Sequence, residues 1–211
     1  LLKQGDHVLS DRTLYGETID LMSKVLTGYG VSVTFVDFTR PEGVKAAIRE
    51  NTRLLYTETV SNPMITVVDI KALAEISHEA GAVLVVDNTF MTSVAVRPLE
   101  LGADLVVNSL TKFANGHSDA VCGAVTGSVQ LIQKIYNLLV LLGSTADAFT
   151  CWLVEHGIRT MSLRVEKQMS NAAKLAAALA ESPYVLKVHH PSLPDHPQHQ
   201  LAARQFGGWY G

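Results

Sequence analysis

The first half of the chain alternates short runs of β-forming apolar residues with stretches of helical pattern, and that alternation leaves few folds open. Val8-Leu9, Val31 to Val36, Arg53 to Thr57, Val83 to Val86, Leu105 to Val107 and Val121 to Val125 are strand candidates. Between them, Gly16 to Leu26, Pro41 to Arg49 and Asp69 to Ala80 have helical character. Pro41 suits a first helical turn, where its missing N–H costs nothing; Asp69 can cap a helix and Gly81 can end one. The pattern predicts an α/β fold with a mostly parallel sheet covered by helices on both faces. In such sheets ligands gather beyond the carboxyl ends of the strands.

After Thr126 the pattern turns helical: Val129 to Leu142, Ala146 to Met161, and Leu163 to Ala180, the last rich in alanine. Ser182-Pro183 breaks this run, Val185 to Val188 reads as a strand, and a loop rich in proline and histidine follows through Pro191, Pro194 and Pro197. Phe206 to Gly211 reads as the entry to another strand. The expected division is residues 1–155 as the central part of a large domain, with 156–211 as a linking helix and the start of a smaller α/β domain. The opening Leu1 to Asp6 reads as a helix end and a turn rather than a signal peptide, so the chain is expected to begin in mid-fold.

Composition narrows the function classes. Of 211 residues, 47% are hydrophobic and 18% charged, which is ordinary for a globular chain and excludes disorder. A net charge of -3 with dispersed basic residues offers no general attraction to nucleic acid or to an anionic membrane. No apolar stretch is long enough to span a bilayer. Cys122 and Cys151 have neither metal-ligand spacing nor the density of a disulfide scaffold, so no metal is expected and a reducing cytoplasm is the default.

The residues that carry chemistry sit at strand exits. Lys112 closes the run Ser109-Leu110-Thr111-Lys112 just beyond one strand candidate, and Asp87 ends another. A lysine able to form a Schiff base, a carboxylate able to hold a pyridinium nitrogen and small hydroxyls beside the lysine are what pyridoxal phosphate chemistry requires. Each also has an ordinary reading: Lys112 as a surface lysine, Asp87-Asn88-Thr89 as turn chemistry. In an extended segment Ser109 and Thr111 would project to one side, as two donors to one phosphate must. After four apolar residues, Asp87 would stay protonated unless a cation compensates. Tyr15-Gly16 opens a helix and could hold a ring over a planar cofactor, or simply pack. Glu58 with Asn62-Pro63 marks a further polar exit, and His117 reads as a loop brace.

Together these segments closely resemble the cysteine/methionine-metabolism family of pyridoxal-phosphate enzymes, which includes cystathionine γ-synthase, cystathionine and methionine γ-lyases and the homoserine sulfhydrylases. The resemblance rests on Leu14-Tyr15-Gly16, Glu58 with Ser61-Asn62-Pro63, Val85 to Phe90, Arg97 to Asp104, Ser109 to Lys112 with Gly116 to Asp119, and Pro194 to His199. It implies a pyridoxal-phosphate transferase-like fold and pyridoxal 5'-phosphate as cofactor. Lys112 would carry the Schiff base and shuttle protons, Asp87 would hold the pyridine nitrogen, and Ser109 and Thr111 would bind phosphate. Asn62 would lie near the cofactor's phenolic oxygen, Tyr15 would stack on the ring and assist proton steps, and Glu58 would sit near the same site.

The implied activity is γ-elimination on methionine, cystathionine or a related sulfur amino acid; Asn115-Gly116-His117 resembles the lyase branch, and the resemblance is nearest to methionine γ-lyase. Two alternatives stay open: a γ-replacement enzyme joining an activated homoserine to a thiol, and an inactive fragment or non-catalytic homologue. Tyr15-Gly16-Glu17-Thr18 differs from the lyase pattern, which often has cysteine at the place of Glu17, and from the synthase pattern, which often has glycine there. The family pattern also includes an upstream phosphate loop and a downstream carboxylate-binding arginine that these residues do not contain. A homotetramer built from dimers is implied as well.

Overall fold

A computed structural model describes residues 1–210. Six strands, β1 (His7–Asp11), β2 (Ser32–Val36), β3 (Thr52–Glu58), β4 (Val83–Asp87), β5 (Leu105–Ser109) and β6 (Gly123–Gly127), form one sheet in the order β2-β1-β3-β4-β5-β6. The first five run parallel and β6 pairs antiparallel with β5. The expected α/β architecture is therefore present. The reversal at β6 follows from its connection: residues 110–122 turn back beside β5 without a crossover helix, and only an antiparallel neighbour can be reached that way.

Alternation along the strands sends successive side chains to two cores. Val8 and Leu54 pack with Leu14, Met22 and Val31 on one face, while Leu9, Leu55, Leu84, Val86 and Val106 pack on the other. The first face is covered by α1 (Gly16–Asp20), which continues through π-helical turns at Leu21–Leu26. The second is covered by α2 (Pro41–Ala46) and α3 (Ile70–Glu79), through Val44, Ile70 and Leu73. Asp69 caps α3 by accepting the Ala72 N–H at 3.2 Å, and Gly81 follows its end at φ +67°. Leu55 and Leu84 are fully buried, each worth about 2 kcal/mol of transfer free energy.

Between β4 and β5 lie α4 (Thr92–Ala95) and a 3₁₀ turn at Pro98–Leu101. Four more helices follow: α5 (Val129–Leu142), α6 (Ala148–Ile158), α7 (Met161–Ala180) and α8 (His199–Phe206). Val165 and Met169 of α7 and Ala202 and Phe206 of α8 join Val60, Val67, Met91 and Val96 in a third core, built on the segments that leave β3 and β4. Among the described residues no helix is long and apolar enough to cross a membrane.

Two strand expectations fail. Residues 185–188 form no ladder, and Leu186 is fully exposed; a strand needs a neighbouring strand edge, and among the described residues none pairs with this segment. Phe206 ends α8, Gly207 and Gly208 turn at φ +60° and +96°, and Trp209 and Tyr210 extend no sheet, while Gly211 lies outside the described residues. The α8 helix itself went unread because prolines and histidines precede it, although Leu201, Ala202, Gln205 and Phe206 have helical spacing.

Candidate active site

Four parallel strands end on a polar residue: Asp11 on β1, Glu58 on β3, Asp87 on β4 and Ser109 on β5. Glu58 and Asp87 stand opposite each other in register. Two neighbouring carboxylates withdrawn from water resist ionising. Burial pushes the Glu58 pKa up to about 7, with the charges of Asp87 and Asp11 adding to it and N–H groups of Tyr15 and Asn62 opposing. The Tyr15 N–H reaches Glu58 Oε1 at 2.8 Å, which ties the start of α1 to the end of β3. Burial also raises the Asp87 pKa, against hydrogen bonds from Thr89 and from the Tyr56 hydroxyl. Tyr56 in turn is held in its neutral, donating form by burial first and then by the charges of Asp87 and Glu58.

Asp87 is locked to the next strand through one residue. The Thr89 N–H donates to Asp87 Oδ1 at 2.8 Å, and Thr89 Oγ1 accepts the Ser109 N–H at 2.8 Å. Beyond Ser109 the chain turns: the Lys112 N–H donates to Ser109 O at 3.2 Å, and the Gly116 N–H donates to Lys112 O at 2.8 Å. Ser109 and Thr111 are thus not alternate residues of one extended segment, as the sequence suggested. Thr111 Oγ1 accepts the Cys122 N–H at 3.0 Å and donates to Cys122 O at 3.3 Å, holding the Lys112 turn to the entry of β6.

The structure brings Tyr15, Glu58, Asn62, Asp87, Ser109, Thr111 and Lys112 to the wall of one cavity of about 910 Å³. Phe90 and Phe113, with ring centroids 5.8 Å apart, supply apolar wall between the polar groups. Asn62 precedes a cis proline, Pro63. Tyr15 is half exposed, and Glu17 raises its pKa by accepting a hydrogen bond from the phenol and by its charge. A cavity at strand ends whose polar side chains converge between apolar walls is what a small-molecule site requires.

Residues 1–211 match a family model described as Cys/Met metabolism PLP-dependent enzyme. The chain belongs to this family. A probable cystathionine gamma-synthase from Herpetosiphon aurantiacus is 43% identical over 212 residues, covering 100% of this chain and 66% of that protein. An L-methionine gamma-lyase from Porphyromonas gingivalis is also 43% identical, covering 97% of this chain and 52% of the relative. The crystal structure of cystathionine gamma-lyase from Lactobacillus plantarum complexed with L-serine superposes with a TM-score of 0.96 at 34% identity, over 100% of this chain and 55% of that one. The chain thus spans about half to two thirds the length of these relatives.

Family membership implies pyridoxal 5'-phosphate as the cofactor, and the donor set fits it. The cavity wall offers an amine, a half-buried carboxylate whose raised pKa a neighbouring cationic N–H would offset, and hydroxyls for an anion. Three contributors escaped the sequence reading. Tyr56 was detectable, because it alternates with Glu58 along β3 and so shares its face. Thr89 was taken only as turn chemistry. Gln168, on α7, lines the cavity from a helix distant in sequence and carried no signal.

Proposed function

We propose that the protein carrying this sequence is a pyridoxal-phosphate-dependent carbon–sulfur lyase that performs γ-elimination on methionine, cystathionine or a related sulfur amino acid. The observation that carries this reading is the convergence of Lys112 with Asp87, Ser109 and Thr111 on one cavity at the carboxyl edge of the sheet. When bound, pyridoxal phosphate supplies an aldehyde carbon that condenses with amines and a ring that withdraws electrons from the substrate's α-carbon. Lys112 Nζ would hold that carbon at rest and, once freed by the substrate's amine, would act as general base toward the α-proton. Asp87 would hold the protonated ring nitrogen, and Asn62 would lie near the phenolic oxygen.

Ser109 and Thr111 would bind the phosphate, Thr111 by turning its O–H away from Cys122 O while still accepting the Cys122 N–H. Tyr15 would stack on the ring and assist proton transfer to the departing sulfur, with Glu58 fixing its main chain. Lys112 would pass the first proton on to the cofactor-bound carbon before taking a second from the β-carbon; the Cγ–S bond would then break with its electron pair on sulfur, and Tyr15 would hand the leaving thiolate its proton. Water is consumed, and ammonia and a 2-oxo acid are released.

The equal identity to a relative named as a synthase favours a second reading, γ-replacement of an acylated homoserine by a thiol. Incubating the full-length protein with methionine, cystathionine and acylated homoserines, with and without thiol, separates them. Release of 2-oxobutyrate from methionine without an acceptor supports the lyase; strict dependence on thiol refutes it. A visible absorbance band that survives unchanged in Lys112→Ala would sink both.

The reading includes a division into the central part of a large cofactor-binding domain over 1–155 and a linking helix with the start of a smaller domain over 156–211, a cytoplasmic location, and a homotetramer whose contacts draw on the exposed apolar face of α5. Light scattering of the full-length protein tests the assembly.

A further inference from the structure

The loop after Lys112 leaves two main-chain carbonyls to be satisfied from outside. Within it, Asn115 N–H bonds Leu110 O at 3.0 Å and Gly116 N–H bonds Lys112 O at 2.8 Å, which winds the segment tightly. Phe113 O and Ala114 O have no place in this pattern, and Ala114 and Asn115 are buried. Buried carbonyls need partners. Arg164, three residues into α7, supplies them: Nη1 donates to Phe113 O and Nη2 to Ala114 O, both at 3.0 Å. The same Nη2 donates to Gly157 O in the last turn of α6 at 2.7 Å, and Nε donates to Thr160 Oγ1 at 3.1 Å. All four bonds go to neutral oxygens, so this charge serves to organise main chain rather than to balance a carboxylate.

Two glycines are shaped around the clasp. Gly116 stands at φ +77°, and a Cβ there would collide with the Arg164 guanidinium. A Cβ on Gly157 would collide with the main chain and side chain of Asn115. One turn beyond Arg164 on the same helix, Gln168 lines the cavity that Lys112 lines. α7 therefore meets the site twice, once as a wall and once as a brace.

We propose that Arg164 is a positioning residue for Lys112: its guanidinium clasps the Phe113–Ala114 and Ala114–Asn115 peptides, one and two residues past the lysine, and fixes them against the junction of α6 and α7. This rests on the reading that Lys112 holds the cofactor. Arg is required rather than Lys, because a planar fork can hold two adjacent carbonyls at once and an ammonium cannot do so in the same geometry. Without the clasp, the peptide planes after Lys112 turn toward other donors and the amine's station relative to Asp87 becomes variable.

The test uses the full-length protein loaded with pyridoxal phosphate, as wild type, Arg164→Gln, Arg164→Lys, Gly116→Ala and Lys112→Ala. The readouts are the pH midpoint of the Lys112-dependent visible band, the rate of cofactor release, and the unfolding midpoint of each apoprotein. Arg164→Gln is expected to move the pH midpoint and to speed release about tenfold, the effect of losing charge-assisted bonds. Gly116→Ala, which crowds the guanidinium and also strains the main chain at φ +77°, is expected to shift both readouts in the same direction, and Arg164→Lys falls between. Variants that lose thermal stability while midpoint and release rate stay within about twofold of wild type would show a merely structural arginine and overturn the proposal. A band that survives unchanged in Lys112→Ala overturns the reading of Lys112 itself, and this proposal with it; a Lys112-dependent band that ignores Arg164 overturns this proposal alone.

Discussion

Thr89 Oγ1 accepts the Ser109 N–H at 2.8 Å while the Thr89 N–H donates to Asp87 Oδ1 at the same distance, so a single threonine sets the spacing between the carboxylate strand and the lysine strand. The bond lies just past the ladder that pairs β4 with β5 from Val85 to Asp87. It therefore continues the register of the sheet into the site, where main-chain pairing has stopped.

Thr89→Val keeps the shape and removes the acceptor, leaving the Ser109 N–H without this partner in a partly buried position. A loss of about 1–3 kcal/mol is expected in urea unfolding of the apoprotein. The same variant takes a hydrogen bond from Asp87, one of the groups that hold its pKa down, so cofactor affinity is expected to become more sensitive to acid. Thr89→Ser, which retains the hydroxyl, is expected to recover most of both effects.

Glu58 gives the apoprotein a pH dependence of defined sign. Its ordinary pKa is 4.5 and burial raises it to about 7 in the fold, so the folded state binds its proton more tightly than the unfolded chain does. Stability is therefore lost as pH rises through that window and levels off above it. Glu58→Gln cannot ionise: relative to wild type it is expected to gain stability from pH 5 to pH 8 (about the span of the window), measured as the difference in denaturant midpoint. A difference independent of pH would show that Glu58 is charged throughout.

Asp87→Asn separates stability from function. Burial raises the pKa of Asp87, so above that pKa its charge is a cost to the apoprotein, and the neutral amide is expected to raise the unfolding midpoint at pH 8. The amide cannot hold a protonated ring nitrogen as a carboxylate does, and turnover of the loaded enzyme is expected to fall by about 10² or more. Parallel thermal melts of apoprotein and rates of 2-oxo acid release check the two halves.

The strands were legible because five of them lie in a sheet covered on both faces, which demands near-continuous apolar runs such as Val83 to Val86, and because each run ends abruptly at a polar residue. Asp87 and Lys112 could be brought together on that basis alone. The direction of β6 could not, since side-chain alternation is the same for parallel and antiparallel pairing. Whether Ser109 and Thr111 lie in one extended segment is not legible either, because spacing two residues apart does not reveal a turn closed by Cys122, eleven positions later. Arg164 carried no signal for a similar reason: its partners are carbonyls, which every residue has, and only the fold decides which ones lack a bond.

The face of α5 yields the final prediction. Val129, Tyr136, Leu138, Val140, Leu141 and Leu142 are exposed, and no residue of this fourteen-residue helix is buried. A helix that is apolar on its exposed side exceeds what a soluble surface carries in isolation, and on α6 Phe149 and Trp152 stack as a further exposed apolar pair. If assembly of the full-length protein covers this face, residues 1–211 expressed alone are expected to self-associate, and Leu138→Glu with Leu141→Glu to relieve that association in light scattering. In the full-length protein the same pair places charges in a desolvated contact, so the expected outcome reverses: the assembled mass falls and the unfolding midpoint drops. A full-length variant that keeps its mass would show that α5 faces solvent in the assembled protein.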